Sequence, residues 1–272
     1  MNVSPNRGGL HSASAGVPLA CAAVWAQNVP LLRTLPANAS LELGQRDAQG
    51  RDALMYASSV ANREIVQLLL GKGANPRASD FLGNTALHYA VLAGQVGIAA
   101  DLVQAGALLD TQNHSGETPL FLATRDCHLA LVQFLLERCA DANVVTAPHE
   151  VSPLHMATVN ANVELCRLLL RHGAAVNARD DVGETPLHWA ACDYEGDISV
   201  IRLLVEEANA DISVQNEDGE TAIHHAAAAG MADLVSYLTE RGNRVAALKS
   251  HSAPHEAGPP SFQANPFTAF VY

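Results

Sequence analysis

The stretch Asp180-Asp181-Val182-Gly183-Glu184-Thr185-Pro186-Leu187-His188-Trp189-Ala190-Ala191 reads as a turn followed by the start of a short helix. Gly183 permits a backbone with positive φ, and Asp180 can hydrogen-bond the turn that it opens. Thr185 suits an N-cap, because its hydroxyl can accept from a free N–H of the first helical turn. Pro186 then falls at the first helical position, where a missing N–H costs nothing and the fixed φ fits a helix. Leu187, Ala190 and Ala191 make a thin apolar face that a second helix can approach closely.

Weaker copies of this stretch recur along the chain. Gly50, Gly83 and Gly116 are 33 residues apart, and each precedes a helix start: Asp52-Ala53-Leu54-Met55, Thr85-Ala86-Leu87-His88 and Thr118-Pro119-Leu120-Phe121. Ser152-Pro153-Leu154-His155 follows at a step of 34, Thr185 at 33, and Thr221-Ala222-Ile223-His224 at 36. Each copy is trailed by a second apolar stripe at helical spacing, from Ile65-Val66 with Leu68-Leu69-Leu70 to Leu234-Val235 with Leu238. Gly73, Gly106, Gly173 and Gly242 are expected to close most of these second helices. A 33-residue period of one turn and two helices, with the signature T-P-L-H-x-A, resembles the ankyrin repeat. The resemblance covers about residues 47–244 in six copies. It implies an all-α solenoid of stacked helix-turn-helix units with β-turn fingers. It says little about activity, because the function of such a scaffold sits in its surface positions.

The repeats are expected at about 47–79, 80–112, 113–146, 147–179, 180–215 and 216–245. Residues 17–46 read as a degenerate capping repeat: Val17-Pro18-Leu19-Ala20-Cys21-Ala22-Ala23 aligns with the signature, and Leu31, Leu32 and Leu35 with the second stripe. The apolar run Val17–Trp25 also has some likeness to a signal peptide, but the repeat alignment explains more of it. Residues 1–16 and 246–272 lack periodicity and are expected to be disordered. Repeat one has Asp52 and Met55 at the Thr and His positions, and repeat three has Phe121 for His and Cys127 for a Gly. Repeat four has Glu150 in place of its turn glycine, so an irregular finger is expected there. Repeat five carries an insertion between its helices, Cys192–Asp197, and a longer exit at Glu206–Asp211.

Composition narrows the function classes. The net charge is −12, which disfavours a direct nucleic-acid partner. Five scattered cysteines without a C-x-x-C pair suit a reducing compartment, hence the cytoplasm or the nucleus. No apolar run approaches the ~20 residues of a membrane span. Between Asp180 and Glu220 stand twelve acids and one base, Arg202, so this stretch carries almost the whole net charge. Such a run can be a solvated end that keeps a protein soluble, or a surface that steers an electropositive partner.

Family resemblance places partner contacts at turn tips and at exposed ends of first helices. Those positions are Arg51 in repeat one, Phe81, Leu82 and Leu92 in repeat two, and His114, Glu117 and Arg125 in repeat three. Repeat five offers Asp181, Val182 and Glu184, with Asp193, Glu195 and Asp197 on its inserted loop; repeat six offers Glu217, Asp218 and Glu220. Phe81 and Leu82 at a turn tip suggest an apolar anchor, unless they fold against the neighbouring turn.

Catalytic, cofactor and metal sites are not expected. His88, His155, His188 and His224 fill the signature position, where the ring is expected to bridge turn backbones. They lie one repeat apart, about 10 Å between packed helix pairs, too far to share an ion with ~2 Å bonds. Asp193-x-Glu195-x-Asp197 has its glycine too early for a calcium loop and lacks the closing Glu. Adjacency of Cys127 and His128 does not make a nucleophile–base pair. Trp189 and Tyr89 are expected to pack in the core. In the tail, Asn265-Pro266-Phe267 resembles an EH-domain ligand and Phe270-Val271-Tyr272 a PDZ ligand. The expected function is a non-enzymatic scaffold or adaptor for a protein or peptide with a basic segment. The alternative is a regulatory or assembly subunit, of the transcription-factor-inhibitor or proteasome-assembly-chaperone kind, in a broad stoichiometric complex.

Overall fold

The computed structural model describes residues 17–36, 39–192 and 198–251, and of 244–251 only the backbone. Helices α1 (Leu19–Trp25) and α2 (Val29–Thr34) form a first pair, followed by a single turn, α3 (Ser40–Leu43). Five regular or near-regular pairs follow: α4 (Ala53–Ser59) with α5 (Arg63–Gly71), α6 (Ala86–Leu92) with α7 (Val96–Gln104), α8 (Pro119–Arg125) with α9 (Leu129–Glu137), α10 (Pro153–Val159) with α11 (Val163–Arg171), and α12 (Pro186–Cys192) with α13 (Ser199–Arg202). The pair α14 (Ala222–Ala228) and α15 (Ala232–His251) ends the described stack. Among the described residues there is no β-strand, only an isolated bridge between Ser79 and Thr85 in a finger.

Helices of seven and nine residues are marginal alone, so their stability comes from stacking. First helices pack on first helices, from α1 through α4, α6, α8, α10 and α12 to α14, and second helices form the other layer. One column of leucines, Leu69, Leu102, Leu135, Leu169, Leu204 and Leu238, runs between the layers with no exposed surface. Burying each stabilises the stack by about 1.5–3 kcal/mol. The N-caps act as the sequence suggests: Asp52 accepts from Met55 N at 3.0 Å, and Thr118 from Phe121 N at 3.1 Å.

The structure corrects or adds to the sequence reading in four places. Gly242 does not close a helix: α15 continues through it to His251, past the repeat boundary at 245 and into the expected tail. The segment Arg244-Val245-Ala246-Ala247-Leu248-Lys249 is made of residues that tolerate or favour a helix, and nothing there stops it. The third helix, α3, was not foreseen; its Leu43 and the preceding Ala39 join the core. The longer exit of repeat five is taken up inside the helix, as a π-helical turn over Leu203–Glu207. There Ala208 N donates to Leu203 O and Ala210 N to Leu204 O, whereas repeat four closes with Ala174 N to Leu169 O. The wider turn absorbs one extra residue without breaking the leucine column. Finally, Cys139 and Asn209 (φ 66° and 57°) stand where Gly73, Gly106 and Gly173 close the other second helices. The inserted loop 193–197, residues 1–16 and the tail motifs at 265–272 lie outside the described residues.

Candidate functional site

Five of the described fingers share one construction, and the finger of repeat four departs from it: there Thr146 Oγ1 accepts Val151 N at 3.2 Å. The opening Asp or Asn accepts two backbone N–H groups of its own turn: Asp80 Oδ1 takes Leu82 N at 2.9 Å and Asn84 N at 2.8 Å, and Asp180 Oδ1 takes Val182 N at 3.1 Å and Glu184 N at 2.8 Å. Asp47, Asn113 and Asn216 do the same. Where that residue is Asp, its second oxygen is also satisfied, by a donor nine residues on. Tyr56 O–H reaches Asp47 at 2.6 Å, Tyr89 O–H reaches Asp80 at 2.6 Å, and Trp189 Nε1 reaches Asp180 at 2.8 Å. Tyr89 and Trp189 are thus half-buried braces for their fingers, not plain core residues. Burial, and then the bond to Asp47, pushes the Tyr56 hydroxyl up to about 12.

Neighbouring fingers are tied by backbone bonds that run the length of the stack. Phe81 N donates to Gln49 O, His114 N to Leu82 O, Ala147 N to Ser115 O, Asp181 N to His149 O and Glu217 N to Val182 O. Buried imidazoles add a second tie. Nδ1 of His88, His155 and His188 accepts from the N–H of its own N-cap, so Nε2 carries the proton. That Nε2–H donates to the carbonyls of Glu117, Glu184 and Glu220 at 3.2, 3.1 and 3.2 Å. Burial holds all three rings below the ordinary histidine range, which keeps them neutral. Repeats one and three have no imidazole at the signature position; Arg46 instead bridges Gly50 O to Ser79 O, and Gln112 bridges Gly116 O to Val145 O. His224 caps α14 but has no described seventh finger to reach.

The family description "Ankyrin repeats (3 copies)" matches residues 19–113, 79–148, 97–180, 130–216 and 191–257 in overlapping stretches. The chain belongs to the ankyrin-repeat family. It is 31% identical over 222 residues to human inversin, covering 80% of this chain and 21% of inversin. It is 36% identical over 144 residues to neurogenic locus notch homolog protein 1 of Danio rerio, covering 53% of this chain and 6% of that protein. The chain therefore spans about a fifth of the inversins that it matches, and less of the Notch protein. Among solved structures it is similar to the ankyrin repeat domain of Bcl-3, described as a unique member of the IkappaB protein family. That likeness has a TM-score of 0.68 at 31% identity and covers 77% of this chain and 93% of the Bcl-3 domain. Ankyrin repeats are in general protein–protein interaction modules, since stacking leaves an extended surface of finger tips and first-helix ends.

Along that ankyrin surface the candidate residues divide. Phe81 and Leu82 are 63% and 65% exposed, and Val182 at the matching tip of repeat five is 48% exposed. Phe81 does both things the sequence allowed: one side of the ring lies on Gly50, where an added Cβ would meet it at 2.6 Å, while the rest faces out. Only a residue without Cβ fits there, and Gly50 also holds φ at 80°. Leu92 at the end of α6 and His114 at its tip are exposed as well. Arg51, by contrast, is held inside its own finger by Asp47 at 2.9 Å and by Tyr56 at 2.7 Å. Arg125 pairs with Glu117 at 2.8 Å and with Asp126 at 3.0 Å.

The acidic end is smaller than its composition suggests. Asp180 is buried as the finger brace. Glu206 meets Tyr237 and Arg241, Glu207 meets Arg167 at 3.1 Å, and Asp211 caps its own turn through Ser213. Asp181 pairs with His149 Nδ1 at 2.9 Å, and Glu184 and Glu220 both face His225. Glu217 and Asp218 stand exposed at the tip of repeat six. Asp193, Glu195 and Asp197 lie outside the described residues.

Sequence reasoning passed over His225. It occupies the slot filled by Tyr56, Tyr89 and Trp189 elsewhere, but its finger opens with Asn216 rather than Asp. The signal was available: Asp pairs with Tyr or Trp nine residues later in three copies, and Asn216 breaks that pairing. Among the described residues no group of three or more His, Cys, Asp or Glu is arranged to hold a metal, and no helix is long and apolar enough to cross a membrane.

Proposed function

We propose that this chain is a non-enzymatic scaffold or adaptor that holds a protein partner along its finger tips and first-helix ends. Phe81, Leu82 and Leu92 serve as the apolar anchor, and Asp181, Glu217 and Asp218 receive a basic segment of the partner. A cytoplasmic or nuclear setting is part of this reading. The observation that carries it is the Phe81–Leu82 tip. Its side chains are exposed while its backbone is fixed on both sides, through Phe81 N to Gln49 O, His114 N to Leu82 O and Leu82 N to Asp80. An apolar pair presented without freedom to collapse loses little entropy on binding.

The test is partner capture with the wild type, with Phe81→Ser/Leu82→Ser, and with Asp181→Lys/Glu217→Lys/Asp218→Lys, each checked for folding by circular dichroism. The tip variant is expected to weaken binding at least ~10-fold, the loss of roughly 1.4 kcal/mol or more from a central anchor. The charge variant is expected to slow association and to remove its salt dependence. Retention of the same partner by both variants overturns the reading. A second reading, an IkappaB-like regulatory subunit in a broad complex, is favoured by the likeness to the Bcl-3 domain. It predicts a stoichiometric complex that survives high salt, because broad apolar contact is screened little.

A further inference from the structure

We propose that Cys192 is a nucleophilic thiol activated by His225, and a site of reversible oxidation by hydroperoxides. The site does not depend on which partner the fingers hold. Cys192 ends α12 in repeat five and is exposed; its Sγ lies 2.9 Å from Nδ1 of His225, on α14 of repeat six. The other ring nitrogen, Nε2, is buried and makes no hydrogen bond. It faces Glu184 Oε1 at 3.5 Å and Glu220 Oε2 at 3.4 Å, and the His225 side chain is only 10% exposed. The ring is braced edge-on by His188, with centroids 5.3 Å apart.

This is the order that a thiol nucleophile requires. An exposed sulfur is followed by a base within reach, and two carboxylates face the other nitrogen of that base. The arrangement exists because the finger of repeat six opens with Asn216. In repeats one, two and five the residue in the His225 slot is bound to a finger Asp; here it turns toward the thiol and the two glutamates. Among the described residues the other cysteines have no such partner. Cys21 and Cys166 are buried, and burial pushes both thiols up to about 12. Cys127 is exposed, but partial burial and Asp126 push its thiol up. Cys139 is exposed on the other side of the stack, at the close of α9.

In the reaction His225 Nδ1 takes the thiol proton, and the thiolate sulfur attacks one oxygen of the hydroperoxide. An S–O bond forms as the O–O bond breaks, and the departing hydroxide or alkoxide takes the proton from the imidazolium. Sulfur loses two electrons, the peroxide gains them, and Cys192 becomes a sulfenic acid. A low-molecular-weight thiol condenses with it to a mixed disulfide and water, and a second thiol restores the cysteine.

The test uses the full chain. It is treated at pH 7 with iodoacetamide, and separately with hydrogen peroxide plus dimedone, and site-resolved rates are read by mass spectrometry. Cys192 is expected to react at least ~10-fold faster than Cys139 and Cys127 in both. In His225→Gln the Cys192 rate is expected to fall to that of Cys139, and its pH profile to move to that of an ordinary thiol. Glu184→Gln/Glu220→Gln, which keeps both the thiol and the imidazole, is expected to slow Cys192 several-fold. A Cys192 rate within twofold of Cys139 overturns the proposal. So does an unchanged rate in His225→Gln that remains folded or, if that variant unfolds, in the double glutamine variant.

Discussion

The fingers of repeats two and five have the same backbone and different chemistry at the tip. In each, an aspartate accepts the N–H groups two and four residues on and is braced by an aromatic donor nine residues on. In each, the tip is tied to the fingers before and after it. Yet repeat two presents Phe81 and Leu82, whereas repeat five presents Asp181 and Val182. The turn is therefore specified from below, by buried groups, and the two outward residues are free to vary. What a repeat recognises is separable from what holds it in shape.

The separation can be broken most strongly at the brace. Asp180→Ala removes the acceptor of Val182 N, Glu184 N and Trp189 Nε1 at a buried position, and a loss of about 2–4 kcal/mol is expected. Asp80→Ala should cost a similar amount in repeat two. Urea unfolding followed by circular dichroism measures both; a loss under about 1 kcal/mol in each would show that the finger stands without its carboxylate.

A smaller effect is expected from acid. His88, His155 and His188 are neutral donors in the fold, and burial lowers their folded-state values below the ordinary ~6.5 of the unfolded chain. As pH falls through ~6.5 the unfolded chain takes up protons that the folded rings resist, so stability declines with falling pH until the folded values are passed. Melting temperature measured between pH 7.5 and 5 should drop in the wild type, and drop less in His155→Gln/His188→Gln relative to that variant's own value at pH 7.5. Equal slopes would remove these rings from the account.

The smallest effect on stability is expected at the tips. Phe81→Ser/Leu82→Ser should change unfolding free energy by no more than about 0.5 kcal/mol, since both side chains are largely exposed. A larger loss would mean that the contact of Phe81 with Gly50 holds the finger, and that repeat two does not separate shape from recognition as repeat five does.

Much of the fold was legible because its causes are local or strictly periodic. Thr118 and Asp52 cap the helices they precede, the leucines at Leu69 to Leu238 recur at the repeat spacing, and the imidazole bridges follow from the signature histidines of repeats two, four and five. The candidate surface was legible in part. Phe81 and Leu82 are exposed where their positions placed them. Arg51 was less readable, because its partner Tyr56 sits on the next helix, and the twelve acids of repeats five and six could not be sorted by counting. Glu206 and Glu207 are paired by Arg241 and Arg167, which are 35 and 40 residues away and outside the acidic run.

The sequence by itself determined the period, the helix starts, the leucine column and which residues crown each finger, because each depends on one residue and its near neighbours. Only the tertiary structure decided how an extra residue in repeat five becomes a π turn, which acids stay unpaired, and that His225 leaves its finger to meet Cys192. The last two outcomes are settled by competition for hydrogen-bond partners between adjacent repeats. A ring such as His225 turns toward whichever polar partner the neighbouring repeat leaves within reach, and that depends on packing across the stack rather than on spacing along the chain.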